Sequence, residues 1–256
     1  MGVMARPSFL GNKYWCSQEN GTLEEYKLAP EGVNQALLAG ELFQKISSSL
    51  YLAIVDRRES PFDCEKPQES LKERLVHVDG RETNYVQELE ENKIPLENVR
   101  ICYSPFSRTR HTAKVVASVL NIPFEGPQCK MIEDLRERFF GPSFELTSHD
   151  KYSEIWALDA KDPFMKPEGG ESVADVVSRL TSALITIESE FQGCTILVVS
   201  HGDPLQILQT ILNAAKEHTG PNVDDLASRI QAVKVPSVLS LHRKFSLLTG
   251  ELRAVI

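Results

Sequence analysis

The stretch CTILVVSHGDPLQILQTILNA, Cys194 to Ala214, restricts the fold more than any other part of the chain. Its first half is apolar at nearly every position rather than at alternate ones. Such a strand needs cover on both faces, which is the situation of a central strand in a parallel sheet. The second half has helical spacing, and Pro204 falls near its first turn, where the missing N–H costs nothing.

Other segments repeat this alternation. VRICYS (Val99–Ser104) reads as a short buried strand stopped by Pro105, and SRTRHTAKVVASVL as a helix with Ala113, Val116, Ala117 and Leu120 inward. EGVNQALLAGELFQKI follows Pro30 as an amphipathic helix, and ESVADVVSRLTSALITIESEF is a long helix with Val173, Val176, Val177, Leu180, Leu184 and Ile187 on its apolar face. SVLSLHRKFS and GELRAVI are expected as late strands. Strands and helices in this order predict an α/β protein, a three-layer α/β/α sandwich with a mostly parallel central sheet. All 256 residues fit one domain. The region at about 47–87 breaks the rhythm: LYLAIV could be a strand, but the residues after it are charged and unpatterned, so the region is expected to be an insertion.

Composition narrows the function. A net charge of −8 argues against non-specific nucleic-acid binding. No apolar run approaches the roughly 18 residues of a membrane span. Met1-Gly2 is followed by Arg6 where myristoylation favours Ser or Thr, so no lipid anchor and no membrane partner are expected. Five cysteines without a CxxC pair point to reduced thiols and a cytoplasmic location.

Four segments place polar residues where strands end, the usual ligand-binding edge of an open α/β sheet. VVSHGDP offers His201, able to point a ring nitrogen at an anion, and Gly202, which lets backbone come close. A capping turn with an incidental histidine would look the same. YSPFSRTRHTA places Arg108 one short turn past its strand, where a guanidinium can grip phosphate with two bonds; a surface ion pair is the plainer reading. A helix would turn Arg110 and His111 away from it. LRERFFG holds Glu137 beside aromatic residues, an environment that suits a general acid, although a solvated charge cluster is the simpler alternative. GGES (Gly169–Ser172) is accounted for mostly as a helix cap.

SPFSRTRHTA, LRERFFG, GGES and VVSHGDPL together, in this order, resemble the histidine phosphatase (phosphoglycerate-mutase-like) superfamily, and LAPEGVNQALLAGELF resembles the helix after its catalytic loop. The likeness spans Tyr26–Phe43 and about Glu90–Leu212. It implies phosphoryl transfer in which the histidine of an Arg-His-Gly motif forms a phosphohistidine, a second histidine and two arginines hold the phosphoryl oxygens, and a carboxylic acid protonates the leaving group. It implies no metal and no cofactor, because the cationic pocket supplies the charge. Matched by motif, His201 corresponds to the second histidine, Arg108 to one arginine, Glu137 to the proton donor, and Gly202 to the close backbone; the catalytic set is then His201, Glu137 and Arg108.

Arg-His-Gly itself occurs nowhere in the sequence. Lys13–Trp15 resembles the opening of the strand that should carry it, and the chain then continues from Cys16 into what resembles the downstream loop. Losing the end of a central strand would leave ladder groups in need of partners. His77 and His149 lack flanking Arg and Gly, His111 sits where such a residue commonly packs on the helix after the arginine, His218 and His242 lie downstream of the motifs and read as structural or exposed, and Cys16 lacks an anion-cradling loop, so none is expected to replace the nucleophile. The expected function is therefore phosphomonoester hydrolysis, in preference to a mutase because the segment after LRERFFG is poor in arginine, impaired by the missing histidine. The alternative is a non-catalytic pseudo-phosphatase. Either way the expected partner is a small phosphorylated substrate or ligand.

Overall fold

A computed structural model describes residues 21–24, 27–44, 95–145, 151–218, 225–248 and 250–255, and the backbone of 50–54. Its elements are α1 (Pro30–Phe43), β1 (Leu50–Ile54), β2 (Val99–Tyr103), α2 (Ser107–Val119), β3 (Cys129–Met131), α3 (Tyr152–Lys161), α4 (Val173–Glu190), β4 (Thr195–Ser200), α5 (Gly202–Glu217), α6 (Leu226–Val233), the short α7 (Pro236–Leu239) and β5 (Leu252–Ala254).

The five strands lie in the order β3-β2-β4-β1-β5. β2 and β1 both run parallel to β4, β3 runs parallel to β2, and β5 closes the far edge antiparallel to β1. β4 is thus paired on both sides, as its unbroken apolar character requires. Alternation within the strands decides the layers, because successive side chains leave opposite faces. Val99, Ile101 and Tyr103 of β2 join Leu197 and Val199 of β4 under Ala113, Val116, Ala117 and Leu120 of α2 and Phe43 of α1. Cys102, Ile196 and Val198 point the other way, into a second cluster with Val176, Val177, Leu180 and Leu184 of α4 and Leu205, Leu208 and Ile211 of α5. The result is a mostly parallel sheet between two helical layers.

Several helix ends follow from local chemistry. Ser172 accepts from Asp175 N–H at 3.1 Å while Asp175 accepts from Ser172 N–H at 2.9 Å, a reciprocal cap on α4. Pro30 and Pro236 occupy the first turns of α1 and α7.

Two readings change. SVLSLHRKFS is not a strand: Pro236–Leu239 is helical and His242–Phe245 is a 3-10 turn. Proline at the first position favours helical backbone, and the buried residues Leu239 and His242 are three apart while Leu241 is exposed, which is a helical face rather than an alternating one. Leu50–Ile54, within the region expected as an insertion, is a full sheet strand whose register runs from Leu50 opposite Ile196 to Ile54 opposite Ser200. The rest of that region, and the strand start expected at Lys13–Trp15, lie outside the described residues. GELRAVI supplies β5 as expected, whereas β3, α3 and α6 carry patterns too short or too polar to have been anticipated.

Candidate functional site

The site is built where β2 and β4 end side by side. Ser104 N–H donates to Val199 O at 3.0 Å, carrying the pairing one residue past β2. Pro105 and Phe106 then turn the chain into α2, and Thr109 Oγ1 donates to Ser104 O at 2.9 Å to hold the turn. Arg108 therefore leaves the first turn of α2 toward the strand ends. On the next strand, β4 runs straight into α5, with His201 as the residue between them.

The third contributor is the extended segment after β3. Ser200 Oγ donates to Leu135 O at 2.6 Å and pins the start of this segment to the end of β4. Side chains then alternate. Arg136 reaches Glu171 at 3.1 Å, Arg138 turns inward, and Glu137 between them faces the strand ends. Glu171 also accepts from Phe139 N–H at 3.0 Å and from Arg179 Nε at 2.9 Å, so GGES is more than a cap: it grips the loop that carries Glu137. The two loops touch backbone to backbone, and a Cβ on Gly141 would come within 2.1 Å of Glu168 O.

Arg108, Glu137 and His201 meet. Arg108 Nη2 donates to Glu137 Oε2 at 3.4 Å, and His201 Nδ1 lies 3.7 Å from the same oxygen. His201 Nε2 is 2.7 Å from Ser104 Oγ. Phe106 fills the space between, its ring 4.9 Å from that of His201 in an edge arrangement and 5.0 Å beneath the Arg108 guanidinium. All three polar residues are buried, at 7, 5 and 0 % exposure for Arg108, Glu137 and His201. Glu137 is thus no solvated surface charge. Among the described residues a Cβ on Gly202 would meet nothing within 4 Å, so none of them demands a glycine there. Arg110 points away, pairing with Glu125 at 3.7 Å, and His111 lies on the same outer side, where burial and then Lys27 and Lys114 lower its pKa. His77, His149 and Cys16 lie outside the described residues. Among the described residues no group of three or more His, Cys, Asp or Glu is placed to hold a metal ion.

Behind the site is a charge network that sequence reasoning missed. Arg138 donates to both oxygens of Asp159 of α3, at 2.7 and 2.8 Å, and to Asp203 at 3.0 Å. His242, buried, bonds Leu239 O through Nδ1 at 2.9 Å and sets Nε2 3.7 Å from Asp159 and 3.9 Å from Asp203. Burial works against the charge on Arg138, but the two carboxylates outweigh it and raise its pKa beyond the ordinary guanidinium value. Burial likewise pushes Asp203 upward, and Arg138 with His242 more than reverses this, leaving its carboxyl below the usual range. The one sequence clue was Asp203 itself, an acid in the first turn of a helix.

A family model described as histidine phosphatase superfamily (branch 1) matches residues 84–229, which is more than half of the chain. The chain belongs to the histidine phosphatase superfamily. No match was found among curated proteins. Solved structures similar to this superfamily member include mycobacterial glucosyl-3-phosphoglycerate phosphatase, at 18 % identity over 86 % of this chain and 79 % of that one, with a TM-score of 0.46. Mycobacterial hydrolase 2 shares 14 % identity over 87 % of this chain and 70 % of its own, at 0.48. YhfR of Bacillus stearothermophilus shares 22 % identity over 64 and 80 %, at 0.39.

Proposed function

We propose that this histidine phosphatase superfamily protein binds a small phosphorylated ligand through Arg108, His201 and the backbone at Gly202, and that phosphomonoester hydrolysis through a phosphohistidine is impaired in it. The observation that carries the reading is the meeting of Arg108, Glu137 and His201 at the strand ends, in a sequence that holds no Arg-His-Gly. A permanently charged guanidinium and an imidazole at one point suit phosphoryl oxygens. A carboxyl group beside them is placed to protonate a departing oxygen. Without an in-line nucleophile these groups stabilise charge on a reaction that lacks its first step, so turnover falls by orders of magnitude while binding persists.

A pure binding role, a pseudo-phosphatase, is the second reading. It is favoured by the way Arg108 and His201 already have protein partners, Glu137 and Ser104. A single domain in the cytoplasm, with no membrane or nucleic-acid partner, completes the proposal. It is supported by the negative net charge, by free thiols at Cys102, Cys129 and Cys194, and by the lack of a membrane-spanning helix among the described residues.

The test pairs two measurements. Calorimetric titration with inorganic phosphate or vanadate should give saturable binding that His201→Ala weakens. A labelled phosphomonoester, quenched after incubation, should leave no acid-labile adduct. Slow release of phosphate that is lost in His201→Ala favours impaired hydrolysis, and binding without release favours the pseudo-phosphatase. Absence of binding would sink both.

A further inference from the structure

α2 is polar on the side turned away from the sheet. Ser107, His111, Lys114 and Ser118 have the spacing that puts side chains on one helix face, and Arg110 flanks them. Ala113, Val116 and Ala117 take the opposite face into the core. Together with Glu24 and Lys27 of the segment ahead of α1, the polar face lines a cavity of about 420 Å³. We propose that this cavity is an anion site separate from the strand ends, and that it takes a small polyanion bearing phosphate or carboxylate groups. It does not rest on the ligand reading given for Arg108 and His201.

Positive charge is gathered here beyond what the neighbouring acids balance. Lys114 makes no ion pair among the described residues. It also stands one helical turn from Arg110, a like-charge spacing that by itself weakens a helix. Burial first, and then the ammonium groups of Lys27 and Lys114, lower the pKa of His111, with Glu24 opposing. Two cations therefore converge on one imidazole. Its Nδ1 is shielded from solvent and has no hydrogen-bond partner among the described residues, so no bond at that nitrogen ties the ring to the protein. Cations brought together in this way repel one another, and a polyanion bound among them removes the repulsion.

The two acids of the lining do not take the anion's place. Glu24 pairs with Lys27 at 3.5 Å and Glu125 pairs with Arg110 at 3.7 Å, but the glutamate side chains are 81 and 85 % exposed. Pairs this long and this wet contribute little, so an anion with several charges displaces them readily. Arg110 keeps its place meanwhile, because its guanidinium also lies 5.9 Å from the centre of the Phe124 ring. The cavity volume falls within the range of small-molecule sites and exceeds what one inorganic phosphate needs, which is why a larger polyanion is the better fit. On a chain of net charge −8, a basic recess also draws small anions that the rest of the surface repels.

Inorganic triphosphate is the probe, titrated into the full chain at low salt and about pH 7.5, above the ordinary imidazole pKa. Calorimetry should show saturable binding that Lys114→Glu weakens about tenfold or more, since one charge-assisted contact is lost and one repulsion gained. Lys216→Glu on α5 makes the same change of net charge in the other helical layer, and should alter the affinity by less than about twofold. Lys114 and Lys216 are both exposed, so neither replacement threatens the fold. In histidine side-chain spectra, with His111→Asn identifying the signals, the His111 resonances should move during the titration. The pKa of His111 should rise once triphosphate is bound, because the anion offsets Lys27 and Lys114. No saturable binding overturns the proposal, as does an equal loss in the two lysine variants. Binding that leaves His111 unmoved places the anion elsewhere and overturns it too. None of these outcomes bears on the strand-end reading, which is tested through Arg108 and His201.

Discussion

Arg138 donates to Asp203 across 3.0 Å, so the residue after Glu137 is bonded to the residue two beyond His201. That one bond ties the loop bearing the candidate proton donor to the helix start bearing the candidate phosphate ligand. Asp159 completes the tie by taking the other side of the same guanidinium.

Replacing Arg138 by Met should destabilise the protein by about 3–5 kcal/mol, because two buried carboxylates lose their shared partner. Arg138→Lys should be nearly as damaging, since an ammonium cannot span both acids with a planar fork. Urea midpoints compared with the wild type measure the effect, and a loss under about 1 kcal/mol for Arg138→Met would refute it.

The same network sets an acid limit. The folded pKa of Asp203 is lowered, so its contribution is fully present above the unfolded value, about 3.9, and is lost as pH falls through the lower folded value. Unfolding free energy should therefore decline below about pH 4, and the decline should flatten in Asp203→Asn. A slope identical in the variant would assign the acid sensitivity elsewhere.

Arg108→Ala should weaken vanadate or phosphate binding by roughly 30- to 100-fold, the loss of charge-assisted bonds in a buried setting. Arg108→Lys should recover only part of this. A thermal shift without any change in affinity would place Arg108 in a structural role.

Gly141→Ala should cost about 3 kcal/mol or more. The backbone there has φ of 100°, which residues with a Cβ rarely adopt, and the new methyl would lie 2.1 Å from Glu168 O. Denaturant titration reads this directly, and a neutral result would mean that the two loops separate easily.

Thiol reactivity should follow burial. Cys102 is fully buried and its pKa is pushed up to about 12 by that burial, while Cys129 is pushed up to about 11, by burial and then by Glu125. Neither forms much thiolate near neutral pH. In maleimide labelling read by peptide mapping, Cys102 should react only on unfolding, and rapid labelling of the native protein would contradict its placement.

Much of this was legible beforehand because it rests on short-range pattern. The apolar run ending at Ser200 announced β4, and helical spacing announced α1, α2, α4 and α5. Arg108, Glu137 and His201 stand out in the sequence as candidates because each sits after a recognisable strand end or motif. Asp159 and His242 were not, since a buried charge network depends on packing between segments distant in sequence and leaves no periodic trace. Leu50–Ile54 is weakly marked in the sequence for a related reason. Five residues say little about whether a neighbour strand waits for them, and that neighbour is β4.

The place of β1 between β4 and β5 also dictates an order of events during synthesis. Both of its partners come later in the chain, β4 about 140 residues later. At ~5–20 residues per second, β1 spends on the order of ten seconds or more outside the ribosome with both edges unpaired. Such a strand invites wrong partners during that interval. The chain should therefore depend on chaperones until β4 has been made, and its yield in cells should respond to their supply more than its final stability would suggest.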